Sequence, residues 1–262
     1  MGVKGLFQFL KRFEKQVYVP QFISGRHIGI DIFWFLHQSK GDMFSFQNYL
    51  LPLIKNAAKV YCVFDGAPSP EKKAELEELT KKRQELLYSI EQIEKFLKYP
   101  FNRISGEDRY CINSYLNQLR RQVWQPSPEY IFSIKKWLSD KGCEIYQAPN
   151  EADNILIELE QQGYINTIIT NDSDLLVLGS SNVLRLYSPM KGGLFDKERI
   201  YGILGFTAAQ WNDFMYLCKN MKENDIILAY SLISVYKDLE YVLQKYDTLH
   251  NDNLLENIEL CL

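Results

Sequence analysis

Residues 27–66 read HIGIDIFWFLHQSKGDMFSFQNYLLPLIKNAAKVYCVFDG, and the fold is decided there. Two short β-type runs, His27–Phe33 (HIGIDIF) and Lys59–Phe64 (KVYCVF), enclose a helical pattern over 44–57. Both runs are almost continuously apolar, as strands covered on both faces must be. A connection of helical length between them suits a parallel crossover. Working outward, CEIYQ at Cys143–Gln147, INTIIT at Ile165–Thr170 and VLRLY at Val183–Tyr187 read as three further strands. Helical patterns over 129–141, 151–162 and 208–219 lie between or after them. The alternation predicts an α/β fold, a mostly parallel central sheet with helices on both faces.

The chain has 262 residues, 46% of them hydrophobic and 24% charged, an ordinary globular composition long enough to bury a core without staples. Its net charge is −3, so affinity for nucleic acid has to come from local grouping of basic residues. The five cysteines, Cys62, Cys111, Cys143, Cys218 and Cys261, contain no CxxC and form no Cys/His cluster, which argues against zinc. Cys62 and Cys143 sit in or beside apolar runs, where a reduced cysteine packs as a small hydrophobe. MGVKGLFQFLKRFEK at the N-terminus carries charges inside its apolar stretch, unlike a signal peptide. No apolar run has the length of a membrane span. An intracellular protein with no membrane partner is expected.

One segment breaks the alternation. From Glu71 to Leu97, Leu76, Leu79, Arg83, Leu86, Ile90, Ile93 and Leu97 recur at heptad spacing, interrupted once by arginine. A second pattern over 107–123 places Ile112, Tyr115, Leu116, Leu119 and Val123 on one face. Together they predict an antiparallel helical pair inserted at about 70–124. It is either a rigid hairpin with a solvated face or a cap over a site at the sheet's carboxyl edge, where open α/β sheets place their ligands. From about Lys219 the chain reads as helical and ends in a polar tail, so a core over 1–218 and a short extension over 219–262 are expected.

The informative residues are acids following strand-like runs: Asp31, Asp65, Glu151 and Asp153, then Asp172 and Asp174. Each alone has a plain structural use. Asp65–Gly66 turns a chain, Asp153 suits the first turn of a helix, and Asn150 or Asp172 suits a helix cap. Six at the ends of strands of one parallel sheet converge on one edge, where like charges repel unless a cation compensates. Oxygen donors without His or Cys suit Mg²⁺, or Mn²⁺ in its place. Enough acids for two ions would serve the in-line phosphoryl displacement that two metals clamp.

These residues also carry a resemblance. MGVKGL, GIDIFWFLH, YCVFDGAPSPEK, QAPNEAD and TNDSDLLVLGS resemble, in order, the motifs of the flap-endonuclease/XPG-like structure-specific nucleases, from Met1 to about Leu217. The resemblance implies a PIN-like nuclease core, two Mg²⁺ ions and cleavage of branched, flapped or single-stranded DNA ends. It implies that Asp31, Asp65 and Glu151 hold one metal and that Asp153, Asp172 and Asp174 group around the other. Asp153 stands where the family usually has Glu. It further implies that Gly2 and Gly5 let the chain end approach the site and the DNA, that the inserted helices are the arch, and that Lys72 and Lys82 assist the scissile phosphate. His37 falls where relatives carry a base-stacking tyrosine. Three family features are missing: the LG-x-D-Y sequence with the seventh acid, the Gly-x-Gly duplex-binding turn and the sliding-clamp peptide. Asp213 and Asp225 are out of register for the seventh acid.

Two functional readings follow. The first is a Mg²⁺-dependent nuclease acting on DNA in replication, repair or recombination, in the nucleus, or at the cytoplasmic site of viral DNA replication if the chain is viral. The same core directed at RNA remains open, because sequence does not report on 2′-OH recognition. The second is a nuclease-like scaffold in protein or RNA interactions, for example in post-transcriptional regulation. Six retained acids favour the first, since a scaffold gains nothing from a repulsive cluster.

Overall fold

The computed structural model describes residue 3 and residues 5–68, 73–99, 104–221 and 225–245. Seven strands, β1 (Lys15–Tyr18), β2 (His27–Asp31), β3 (Lys59–Phe64), β4 (Glu144–Gln147), β5 (Thr167–Ile169), β6 (Asn182–Leu186) and β7 (Lys191–Asp196), form one sheet in the order β1-β7-β6-β5-β2-β3-β4. The five expected strands are its parallel part. The chain steps outward from β2 to β3 and β4, then returns to β5 on the other side of β2. That reversal is a topological switch point between β2 and β5.

The two strands that sequence reading missed, β1 and β7, pair antiparallel at one end of the sheet. β7 reads KGGLFD, and paired glycines erase a strand signal. The close packing explains them: a side chain at Gly193 would collide with the Glu14 carboxylate, and one at Gly192 would come within 2.7 Å of the Arg185 carbonyl oxygen.

Helices cover both faces. On one, Ile28, Ile30, Cys62, Phe64 and Ile169 pack beneath α2 (Val19–Ile23), α3 (Ile32–Ser39), α4 (Met43–Asn56) and α7 (Pro128–Asp140). On the other, Val63, Ile168 and Val183 meet α1 (Leu6–Leu10), α8 (Ala152–Gln161), α9 (Asp174–Val177), α10 (Lys197–Leu204) and α11 (Ala208–Asn220). α12 (Ile226–Tyr236) and α13 (Leu239–Lys245) join this second core through Ala229, Leu232, Ile233 and Val242. Phe9 of α1 meets Phe214 and Tyr230, which ties the two ends of the described chain together. Gly29 lets α8 lie close on β2, because a Cβ there would stand 2.5 Å from Ile165 Cδ1 and 2.7 Å from Leu156 Cδ2. No helix among the described residues is long and apolar enough to cross a membrane.

The inserted pair consists of α5 (Lys73–Lys98) and α6 (Gly106–Val123). It has its own small core, Ile90, Leu116, Leu119 and Val123 backed by Leu86, Ile93 and Leu97. Arg120 bonds Glu94 across the pair at 2.6 Å. The arginine that interrupted the heptad has a specific use: Arg83 Nε donates to the Val123 carbonyl at 2.9 Å, satisfying an end carbonyl of α6. Arg83→Met keeps the apolar stem and removes the donor. It is expected to cost about 1 kcal/mol and to speed limited proteolysis at the base of the hairpin. Unchanged cleavage there would show that the bond holds nothing.

Candidate metal centre

The ladder pairs Ile30 with Ile169, so Asp31 at the end of β2 and Thr170 just after β5 come level across the switch point. Asp31 caps α3 by accepting from Phe33 N–H at 3.0 Å. Its other oxygen accepts from the Thr170 hydroxyl at 3.3 Å. Thr170 Oγ1 in turn accepts from Asp172 N–H at 3.0 Å, and Asp172 accepts from Asp174 N–H at 3.1 Å. One buried hydroxyl therefore couples the acid of β2 to the acidic loop after β5.

On the other flank, Asp65 leaves β3 and accepts from Ala152 N–H at 2.7 Å, holding the first turn of α8. Sequence reading offered Asn150 as a candidate for that cap. Instead Glu151 occupies the cap position and its side chain makes no cap bond, and the Asn150 carbonyl accepts from Gly66 N–H at 2.5 Å. Ala67 N–H reaches the Pro149 carbonyl at 3.1 Å, and Gln147 Nε2 reaches the Asp65 carbonyl at 2.7 Å. The Asp65 loop is thus laced to the loop that bears Glu151. Gly66 permits the lacing, because a Cβ there would collide with the carbonyl oxygens of Ala148 and Pro149. Gly66→Ala is expected to cost about 1–3 kcal/mol through overpacking and to draw Asp65 away from Ala152. A thermal midpoint equal to the wild type's would refute that.

The electrostatics show which acids meet. Burial, then the charge of Asp65 and more weakly that of Asp172, raises the Asp31 carboxyl to about 7. Burial, then the charges of Asp31, Asp172, Asp174 and Asp65, raises Asp153 to about 8. Five of the six predicted acids therefore act on one another. Glu151 lies beside them in sequence, one residue before the amide that Asp65 holds. Among the described residues no three His, Cys, Asp or Glu side chains are drawn close enough to hold an ion as they stand. The donor set, all carboxylate and sharing charge that burial penalises, fits a hard divalent cation.

The other candidates fall as follows. His37 is exposed on α3, with its ring edge-on to Trp124 at 6.0 Å and tilted to Phe33 at 6.4 Å. Burial and Lys40 lower its pKa, against the opposing charge of Asp65. Gly5 precedes α1 with φ +84°, a conformation that favours glycine. Lys82 is exposed on α5 and pairs with Glu78 one turn away at 2.6 Å. Gly2 and Lys72 lie outside the described residues. Asp213 accepts a backbone bond from Leu239 at the start of α13, and Asp225 caps α12 by accepting from Leu228 N–H at 3.0 Å. Both out-of-register acids serve helix ends. Sequence reading overlooked Thr170 and Gln147, whose signal was only a polar residue at the end of a strand.

The model of the XPG I-region family matches residues 142–226. Exodeoxyribonuclease 1 of Schizosaccharomyces pombe is 31% identical over 70% of this chain and 32% of its own length. Flap endonuclease 1 of Entamoeba histolytica is 27% identical over 100% of this chain and 76% of its own. The chain thus spans about a third of the first relative and three quarters of the second. Among solved structures, the catalytic core of Rad2 with a DNA substrate superposes with a TM-score of 0.63 at 16% identity, over 98% of this chain and 78% of that one. The Holliday junction-resolving enzyme GEN1 with product DNA, Mg²⁺ and Mn²⁺ superposes at 0.57 and 15% identity, over 94% of this chain and 54% of that one. These superpositions establish the fold.

Proposed function

We propose, from the premise that this chain is a relative of the flap-endonuclease/XPG-like nucleases with their fold, that it is a divalent-metal-dependent phosphodiesterase cutting branched, flapped or single-stranded DNA ends. The observation that carries the proposal is the placement of Asp31, Asp65, Asp153, Asp172 and Asp174 around the β2–β5 switch point, with Asp31 and Asp153 raised to about 7 and 8. A half-buried repulsive cluster costs stability unless a bound cation repays it.

Asp31, Asp65 and Glu151 would hold one Mg²⁺, and Asp153, Asp172 and Asp174 would hold the second, with Mn²⁺ able to substitute. When bound, the ions supply positive charge for the attacking water and for the departing oxygen of an in-line displacement. The chain's own residues set the stage. Thr170 fixes the Asp31 carboxylate at 3.3 Å and the Asp172 amide at 3.0 Å, so the two flanks of the switch point keep one spacing. Asp65, held against Ala152, sets the third side. Asp153 is a carbon shorter than the Glu usual in relatives, which leaves room for a water beside it. Lys72 and Lys82 would neutralise the phosphate. For Lys82 that requires release from Glu78. Gly2, Gly5 and His37 would line the DNA path near the chain end and α3.

The test is cleavage of a labelled panel (single strand, blunt duplex, 5′ flap and RNA) in Mg²⁺ and in EDTA. Metal-dependent cutting of a DNA form is the expected result. Cutting that survives excess EDTA, or no cutting by folded protein, would overturn the reading. The latter would favour a scaffold.

A further inference from the structure

We propose that Lys135 binds a backbone phosphate of the nucleic-acid substrate on the Asp65 flank of the metal centre, an inference that rests on the nuclease reading above. Lys135 lies on α7, the first helix after the hairpin, and is half-buried. Its ammonium stands 4.8 Å from the ring centre of Phe64, the residue before Asp65. It donates to Gln147 Oε1 at 2.6 Å.

Gln147 is held from its other end. Its Nε2 donates to the Asp65 carbonyl at 2.7 Å, with the Ala148 carbonyl at 3.3 Å and that of Phe64 at 3.4 Å. Three carbonyls leave the amide one orientation, nitrogen toward the loop and oxygen toward Lys135. Two hydrogen bonds therefore join the ammonium to the backbone of a proposed metal ligand. The Phe64 ring meets Phe33 edge-on at 6.5 Å, and Phe33 follows Asp31 by two residues. Lys135 is thus set at the edge of the sheet that carries both acids.

A tie between α7 and β4 accounts for a hydrogen bond at this point, but a neutral donor would serve it equally. The charge needs its own reason. Among the described residues, Lys59, Lys82, Lys95 and Arg120 each pair with a glutamate, whereas Lys135 forms no ion pair. A ring face and a neutral amide hold an ammonium in place without neutralising it. Gln147 takes one of its three donors, which leaves two for phosphate oxygens. With its stem already ordered, Lys135 loses little freedom on binding.

The experiment reads binding as well as cutting. A fluorescein-labelled 5′ flap DNA in Ca²⁺ is titrated with the full chain at several salt concentrations, and anisotropy gives the affinity. Lys135→Met keeps a stem on Phe64 and removes the charge. It is expected to weaken binding about tenfold and to reduce the slope of log K against log salt by about 1. Lys135→Arg should keep most of the affinity, and Lys136→Met, at the exposed neighbour, should stay close to wild type. A methylphosphonate scan of the DNA then locates the partner: neutralising one phosphate should weaken the wild type and leave Lys135→Met unaffected. Should Lys135→Met fail to fold by circular dichroism, Lys135→Gln takes its place. Unchanged affinity and slope in a folded variant, or methylphosphonate losses that add fully to the variant's at every position, would overturn the proposal. DNA binding without cutting would remove the nuclease reading and leave the contact standing. Cutting with an indifferent Lys135 would remove only the contact, and no DNA binding by the wild type would end both.

Discussion

Asp172→Ala is expected to lower DNA cleavage by at least ~10³-fold in saturating Mg²⁺, a loss of about 4 kcal/mol of transition-state stabilisation. Asp172 sits in the middle of the constellation. It receives the Asp174 amide, its own amide is held by Thr170, and its charge reaches both Asp31 and Asp153. Losing it would remove one of the proposed ligands and slacken the loop that carries Asp174. Stability should move much less, because the variant also relieves repulsion. Circular dichroism and a thermal midpoint close to the wild type's would separate lost chemistry from lost fold. Cleavage within tenfold of wild type would remove Asp172 from the site and, with it, the assignment of the cluster.

In chelator, stability is expected to fall as pH rises from about 5 to 9, on the order of a few kcal/mol for the coupled acids. The sign follows from the direction of the shifts. Asp31 and Asp153 are raised from 3.8 to about 7 and about 8, so the folded protein holds protons that the unfolded chain has released. Their stabilising contribution is complete below about 4 and is lost as pH climbs through 7 and 8. A carboxylate held by a salt bridge slopes the opposite way. Asp153→Asn keeps the shape without the titration, so it should flatten the profile and exceed wild type in stability at pH 9. Added Mg²⁺ should restore stability to the wild type at high pH and restore less to the variant. Urea midpoints across that range decide the matter. A wild-type profile rising with pH in EDTA would show that these carboxyls are already compensated within the protein.

The parallel part of the fold was legible because doubly covered strands leave continuous apolar runs and their helices leave periodic ones. HIGID, KVYCVF and the runs near 145, 167 and 184 became β2 to β6. β7 was not legible, since its paired glycines answer to the neighbouring Glu14 and Arg185 rather than to any local preference. The acids were legible through their positions after strands, and five of them interact. What holds them was not. Thr170 acts across the sheet, and the cap on α8 comes from Asp65 at a distant strand rather than from the adjacent Asn150. Arg83 looked like a flaw in a heptad because its partner carbonyl lies in the other helix. In each case the deciding contact is remote in sequence, and a local reading sees only one half of it.

The bond between Thr170 and Asp31 spans 139 residues of chain. The middle of the sheet therefore cannot zip up until β5 has been made, whereas β2, β3 and the helical hairpin are available long before. During synthesis the early half is a half-sheet with one side of β2 unpaired, and the acids it carries have no counterparts across the cleft. Assembly of the acidic cluster and closure of the sheet's centre are then one late event, with the loop-closure cost that slows folds built on distant strand pairing. A nascent chain stalled before residue 167 should have no organised cluster with which to cut nucleic acid.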